Sequence, residues 1–132
     1  MSALAVLALV CVGCTAPEQP LLERFFATSR LRDKTALQAF STVIFEPREQ
    51  GIVRTFAVVG VSPERTVGGV TTKDVTLRAA VQRPGGSTVD AILIATLQRA
   101  DERQAGYPWI VVAVTDVSEV TGGSGSRSAP RL

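Results

Sequence analysis

The stretch that most constrains this chain is residues 70–82 (VTTKDVTLRAAVQ), where Val75, Leu77, Ala79 and Val81 point one way and Asp74, Thr76, Arg78 and Gln82 the other. A period of two belongs to a strand with one face on a core and one toward water. Arg83-Pro84-Gly85-Gly86-Ser87 follows as a hairpin turn, its glycines supplying the positive φ that reversal requires. Residues 88–99 then make a second long strand, apolar on both sides through Ile92, Leu93, Ile94 and Ala95, as a central strand should be. Upstream, residues 52–61 (IVRTFAVVGV) predict a strand with Gly60 as a bulge, and residues 42–45 a short one closed by the turn-like EPREQG. Residues 62–69 read as a loop, 100–106 as a turn and 107–117 (YPWIVVAVTDV) as a last strand. No helix separates these strands, so the sheet is antiparallel.

The part before the strands has the other period. In residues 20–31 (PLLERFFATSRL) a proline suited to the first helical turn precedes Leu21, Leu22, Phe25 and Phe26 on one flank. Asp33 caps a second, shorter helix over residues 34–41, where Ala36, Leu37 and Phe40 share a side; one continuous helix through Asp33 is the alternative. From about Thr121 the tail is small and polar, which predicts disorder over residues 121–132. The fold class is therefore α+β, with N-terminal helices packed on an antiparallel sheet of four to five strands.

Two helices leading into a meander of long strands, with FFATSRLRDKTALQAF as the opening pattern, resemble the NTF2-like (cystatin-like α+β) superfamily over residues 20–117. The resemblance implies a bent sheet wrapped around the first helix as a cone. It also implies a ligand cavity or, in enzymatic members, an acid–base pair inside it.

The chemistry available to such a cavity is narrow. The chain has no His, which removes the usual proton shuttle at neutral pH and the commonest nitrogen ligand for metals. Lys plus Arg number 14 against 12 Asp plus Glu, and a net charge of +2 gives no basic footprint for nucleic acid. Gly68-Gly69, Gly85-Gly86 and Gly122-Gly123 lack the strand, helix and Lys context of a phosphate loop, and no cofactor motif is present. Lys34 and Lys73, the two lysines, both read as exposed. Arg24, Arg30 and Arg32 alternate with Glu23 and Asp33, as on a solvated helix face.

Residues 3–12 (ALAVLALVCV) form an uncharged apolar run, shorter than the roughly 20 residues of a membrane helix and of the length of a signal-peptide core. Both cysteines fall at its end, Cys11 and Cys14, so the remainder carries no disulfide. A redox or metal C-x-x-C would lack a second ligand pair. Leu9-Val10-Cys11-Val12-Gly13-Cys14 resembles the lipobox of bacterial lipoproteins; Val12 and Gly13 fit, Cys11 stands where Leu is usual, and no Lys or Arg precedes the run. The resemblance implies cleavage after Gly13, a diacylglycerol thioether on Cys14 and acylation, as by palmitate, of the new amino terminus. It places the protein in a bacterial cell envelope, at the outer membrane where the host has one, because Thr15 and not Asp follows the cysteine. Residues 1–13 are then the signal peptide, 14–20 the lipidated cysteine and tether, 21–120 the domain and 121–132 the tail.

Candidate site residues are few. Asp74, Asp90 and Asp116 are carboxylates in expected strands; Asp74 shares its face with Arg78, and Asp90 begins the strand pairing with it. Tyr107 and Trp109 flank Pro108 as an aromatic lip or as cover for one end of the core. Together Asp74, Arg78, Asp90, Tyr107 and Trp109 outline a surface for a ligand or partner, with Cys14 and Gly13 as lipidation and cleavage positions. The set predicts a non-catalytic exported domain binding a small apolar ligand or an envelope protein. The alternatives are a cavity enzyme with a buried Asp and an assembly partner acting by strand addition.

Overall fold

Alternation and turn chemistry determine most of the architecture seen in a computed structural model, which describes residues 17–100, 108–118 and 127–132. Helix α1 (Gln19–Arg30) starts with Pro20 in its first turn and buries Leu21, Leu22, Phe25, Phe26 and Ser29. Helix α2 (Lys34–Leu37) begins where the Asp33 side chain accepts from the Ala36 N–H at 3.0 Å. It ends earlier than the expected residue 41. The Ala39 and Phe40 N–H groups turn tightly back to Ala36 and Leu37, and the Phe40 carbonyl then accepts from the Val111 N–H at 2.9 Å. The chain is drawn out of the helix to meet the sheet.

The strands are β1 (Ile52–Val61), β2 (Arg65–Val67), β3 (Val70–Gln82), β4 (Thr88–Arg99), β5 (Trp109–Asp116) and β6 (Arg127–Ser128). They pair antiparallel in the order β1-β3-β4-β5-β6, with β2 also on β3. The architecture is α+β with an open antiparallel sheet. Strand β2 lies inside the expected loop 62–69, because Gly68 and Gly69 take φ of 59° and 80° and reverse the chain between Val67 and Val70. Residues 42–45 make no strand of their own. The Ser41 hydroxyl donates to the Val43 carbonyl and accepts from the Val43 N–H, replacing ladder bonds with a local turn, and only isolated bridges join Ser41 to Val111 and Val43 to Arg131.

Disorder does not hold for residues 127–132. Ser128 and Arg127 pair with Thr115 and Asp116, the Ala129 N–H donates to Val114, and the Pro130 carbonyl accepts from the Ile44 N–H. This segment covers the edge of β5 and satisfies backbone groups that would otherwise face water.

Register decides what enters the core. Val75, Leu77, Ala79 and Val81 of β3 lie opposite Ala95, Leu93, Ala91 and Val89 of β4, and all of these except Val89 belong to the buried cluster. Two register shifts in β1, between Val53 and Thr55 and between Val58 and Gly60, break its simple alternation. They bring Val53, Phe56 and Val58 opposite Val81, Ala79 and Leu77 on the core side. Leu22, Phe25, Leu37 and Ile44 share the same cluster, and Phe26 meets Phe45 and Phe56 at ring-centroid distances of 5.5 and 5.4 Å. On the opposite face Ile92 and Ile94 are half-buried. Lys73 departs from its expected exposure: it is buried, because the two-residue period that carries Val75 and Leu77 inward carries residue 73 with them.

The turn before β1 depends on Gly51, whose φ of +102° brings its α-carbon against β3, so that an added Cβ would lie 2.3 Å from the Gln82 carbonyl oxygen. Gly51→Ala is expected to lower unfolding stability by about 2–3 kcal/mol. Gly60→Ala, whose Cβ would meet nothing nearer than Thr76 at 4.0 Å, is expected to change it by less than about 1 kcal/mol. Urea unfolding midpoints of the two variants measure the contrast.

Candidate functional site

The inward row of β3 ends at Lys73, and an ammonium among apolar side chains requires an anion nearby. Glu18 supplies it from the position immediately before α1: its Oε1 lies 2.6 Å from Lys73 Nζ, and the two side chains are only 7% and 11% exposed. The Glu18 carboxylate therefore does not cap the helix it precedes. Trp109, at the start of β5, completes the cluster, with Lys73 Nζ 4.2 Å from its ring centroid and the Arg99 guanidinium at 5.2 Å. Arg99 is paired across the sheet with Trp109 and bonds Glu64 at 3.0 Å. Cations over an indole face are attracted by its quadrupole.

Glu18, Lys73 and Trp109 border a cavity of about 180 Å³ whose remaining walls are Pro17, Pro20, Leu21, Leu97 and Pro108. The second carboxylate oxygen of Glu18, Oε2, is buried with no hydrogen-bond partner among the described residues. An unmet buried acceptor costs about 1–3 kcal/mol. A buried ion pair, an aromatic wall and apolar surfaces are the composition of a small-molecule pocket.

The other candidate residues are separated by register. Asp74 lies opposite Thr96, whereas Asp90 lies opposite Ala80, near the hairpin turn. Asp74 instead pairs with Arg65 at 3.0 Å and accepts from the Thr96 hydroxyl at 2.8 Å. The Arg65 hydrogen bond lowers its pKa below the ordinary 3.8, against the upward push of burial. Asp90 and Arg78 are exposed, the latter opposite Ile92. Trp109 belongs to the pocket, while Tyr107, Cys14 and Gly13 lie outside the described residues. Lys34 is exposed, as expected.

Asp116 is the buried aspartate among the described residues, on the core side opposite Leu93. It meets Arg83 at 3.0 Å and accepts from the Ser118 N–H at 3.0 Å and the Ser118 hydroxyl. Burial pushes its pKa up, but the Ser118 and Arg83 hydrogen bonds outweigh that and hold it below 3.8. A general acid needs the opposite shift. Arg83 also donates to the Gln50 carbonyl at 3.4 Å, so this network ties the β3–β4 turn to the turn before β1. Among the described residues no group of three or more metal-ligating side chains converges, and no helix is long and apolar enough to cross a membrane.

Lys73 and Glu18 are the residues that sequence reasoning missed. The signal for Lys73 was present in the period of β3; nothing local marks Glu18, whose role exists only once the helix start meets the sheet. Compared with known proteins, the chain matches no family model, no curated protein and no solved structure.

Asp74 and Asp116 both titrate below 3.8 when folded, so their contribution to stability is complete above that value and is lost as pH falls through the folded values. Asp116→Asn is expected to cost about 2 kcal/mol at pH 7 and to flatten the acid limb of a stability-against-pH curve. Urea unfolding of both proteins across that pH range checks it; superimposable acid limbs would contradict the assignment.

Proposed function

We propose that this protein is a non-catalytic binding module of a bacterial cell envelope, exported, anchored through a lipid on Cys14, and carrying a small-ligand pocket where the tether joins the domain. The observation that carries the reading is the pocket of about 180 Å³ whose lining includes the buried Glu18–Lys73 ion pair and Trp109. Pro17, in its lining, follows Cys14 by three residues, a reach of at most about 11 Å. A lipid at Cys14 would hold the pocket mouth close to the membrane surface, where amphipathic small molecules concentrate.

An NTF2-like relationship is part of the same proposal. It is supported by the order of two helices before an antiparallel meander and by residues of both helices in the cluster on the inner face of β3 and β4. Leu22, Phe25, Leu37, Leu77 and Leu93 fill that face, so the ligand site lies at one end of the domain. The cavity-enzyme alternative is disfavoured by Asp116, whose carboxyl is held ionised by its partners. Assembly by strand addition is favoured by β1, which ends the sheet and exposes Val59 and Val61. Its two bulges, however, twist the edge away from regular pairing.

Two measurements test the reading. In cells fed a fatty-acid analogue, the wild type is expected to be labelled and Cys14→Ser to lose the label; equal labelling of both would reject lipidation there. Trp109 is the chain's one tryptophan, so its indole N–H gives a single nitrogen–proton NMR peak inside the pocket. Saturable movement of that peak by millimolar cyclohexanol or cyclohexanone is expected, and no movement with either would remove the small-ligand function.

A further inference from the structure

We infer that an acyl chain carried by Cys14 is the pocket's own occupant, folding back into it while the protein is in water and leaving it on membrane insertion; this rests on the lipid anchor proposed above and names the regulation of that same pocket. The site then opens to other small molecules only at the bilayer. Covalent geometry delivers the chain. Pro17 is itself part of the pocket wall, and Cys14 precedes it by three residues, a span of at most about 11 Å. A group held on so short a tether meets its site at an effective concentration of roughly millimolar or above, whatever the concentration of protein.

The walls suit a hydrocarbon. Pro17, Pro20, Leu21, Leu97, Pro108 and Trp109 supply most of the lining. The two charged residues among them, Glu18 and Lys73, already neutralise each other at 2.6 Å. The Lys73 ammonium also lies over the Trp109 ring, 4.2 Å from its centroid. An acyl chain in this space therefore separates no ion pair and needs no hydrogen bond of its own.

Volume decides how much of the chain enters and where it goes when a membrane is present. About 180 Å³ slightly exceeds the ~150 Å³ apolar cavity that holds benzene in another protein, so about seven acyl carbons fill it. A palmitate-length chain has roughly twice that number, and its gain from burial grows with every methylene removed from water. The bilayer takes the whole chain and the pocket only part of it, so the bilayer wins wherever both are offered. In water the bilayer does not compete, and the pocket holds the chain.

The test uses the lipid-bearing protein itself. Cells expressing the full chain are fed a palmitate analogue that carries a photoactivatable diazirine. The purified protein is placed in detergent-free buffer or in phosphatidylglycerol vesicles, and both samples are irradiated. In buffer, peptide mass spectrometry is expected to find the acyl chain bridged to the pocket wall at Leu21, Leu97 or Trp109, with a yield unchanged by tenfold dilution. In vesicles that yield is expected to fall at least tenfold. Bridges to exposed residues such as Leu31 or Val59 in place of the wall, or no bridge to the domain at all, would overturn the inference while the lipid on Cys14 stands. A yield that falls on dilution would assign the chain to the pocket of a second copy, and an equal yield in vesicles would remove the membrane dependence; either result contradicts the proposal. Cys14 without any acyl group in the same spectra would overturn this inference and the anchor together.

Discussion

An ammonium forced into an apolar layer is the interaction around which this end of the molecule is organised. The inward row of β3 runs without a break from Val81 to Lys73, and its period gives the lysine no other face. Burial of that charge is tolerable only with a partner at hydrogen-bond distance, and Glu18 provides it from the start of α1. The pair therefore does more than neutralise a charge. It joins the beginning of the helix to the start of β3 and places Trp109 against the cation, beside a space walled by prolines and leucines.

The rest of the domain is arranged so that this end stays open while the middle closes. Leu22, Phe25 and Leu37 of the helices and Leu77, Leu93 and Ala95 of the strands belong to one buried cluster with essentially no exposure. At the opposite end of β3, Arg83, Asp116, Ser118 and the Gln50 carbonyl form a satisfied polar network, and Gly51 permits the close approach of the neighbouring turn. One end is thus completed by internal hydrogen bonds, and the other holds the buried Glu18–Lys73 pair beside a cavity.

Much of this was legible in residue order. The bounds of β1, β3 and β4 coincide with those expected, because alternation, β-branched residues and glycine turns all act within a few residues of one another. The Asp33 cap follows from equally local chemistry. What escaped depends on distant partners. The role of residues 127–132 requires the free edge of β5 and the passing segment at Val43 and Ile44. The short bridge at Ser41 arises from its hydroxyl competing with the ladder. Asp74 and Asp90 were grouped in one surface because their strands pair, yet the turn at Pro84 to Gly86 sets the register so that they lie several rungs apart. Lys73 is buried against the usual preference of lysine for water because the period of its own strand outweighs that preference. Glu18 could not be found locally at all.

The central claim is that Glu18 and Lys73 act as one unit that fixes the helix start to the sheet, and a double-mutant cycle measures it directly. Urea unfolding of the wild type, Glu18→Leu, Lys73→Met and the double variant yields their coupling free energy. Each single change is expected to cost about 3 kcal/mol because it strands a buried charge, and the double variant far less than the sum, a coupling of at least about 2 kcal/mol. Strictly additive losses would show that the two side chains do not depend on each other and would contradict this account of the site.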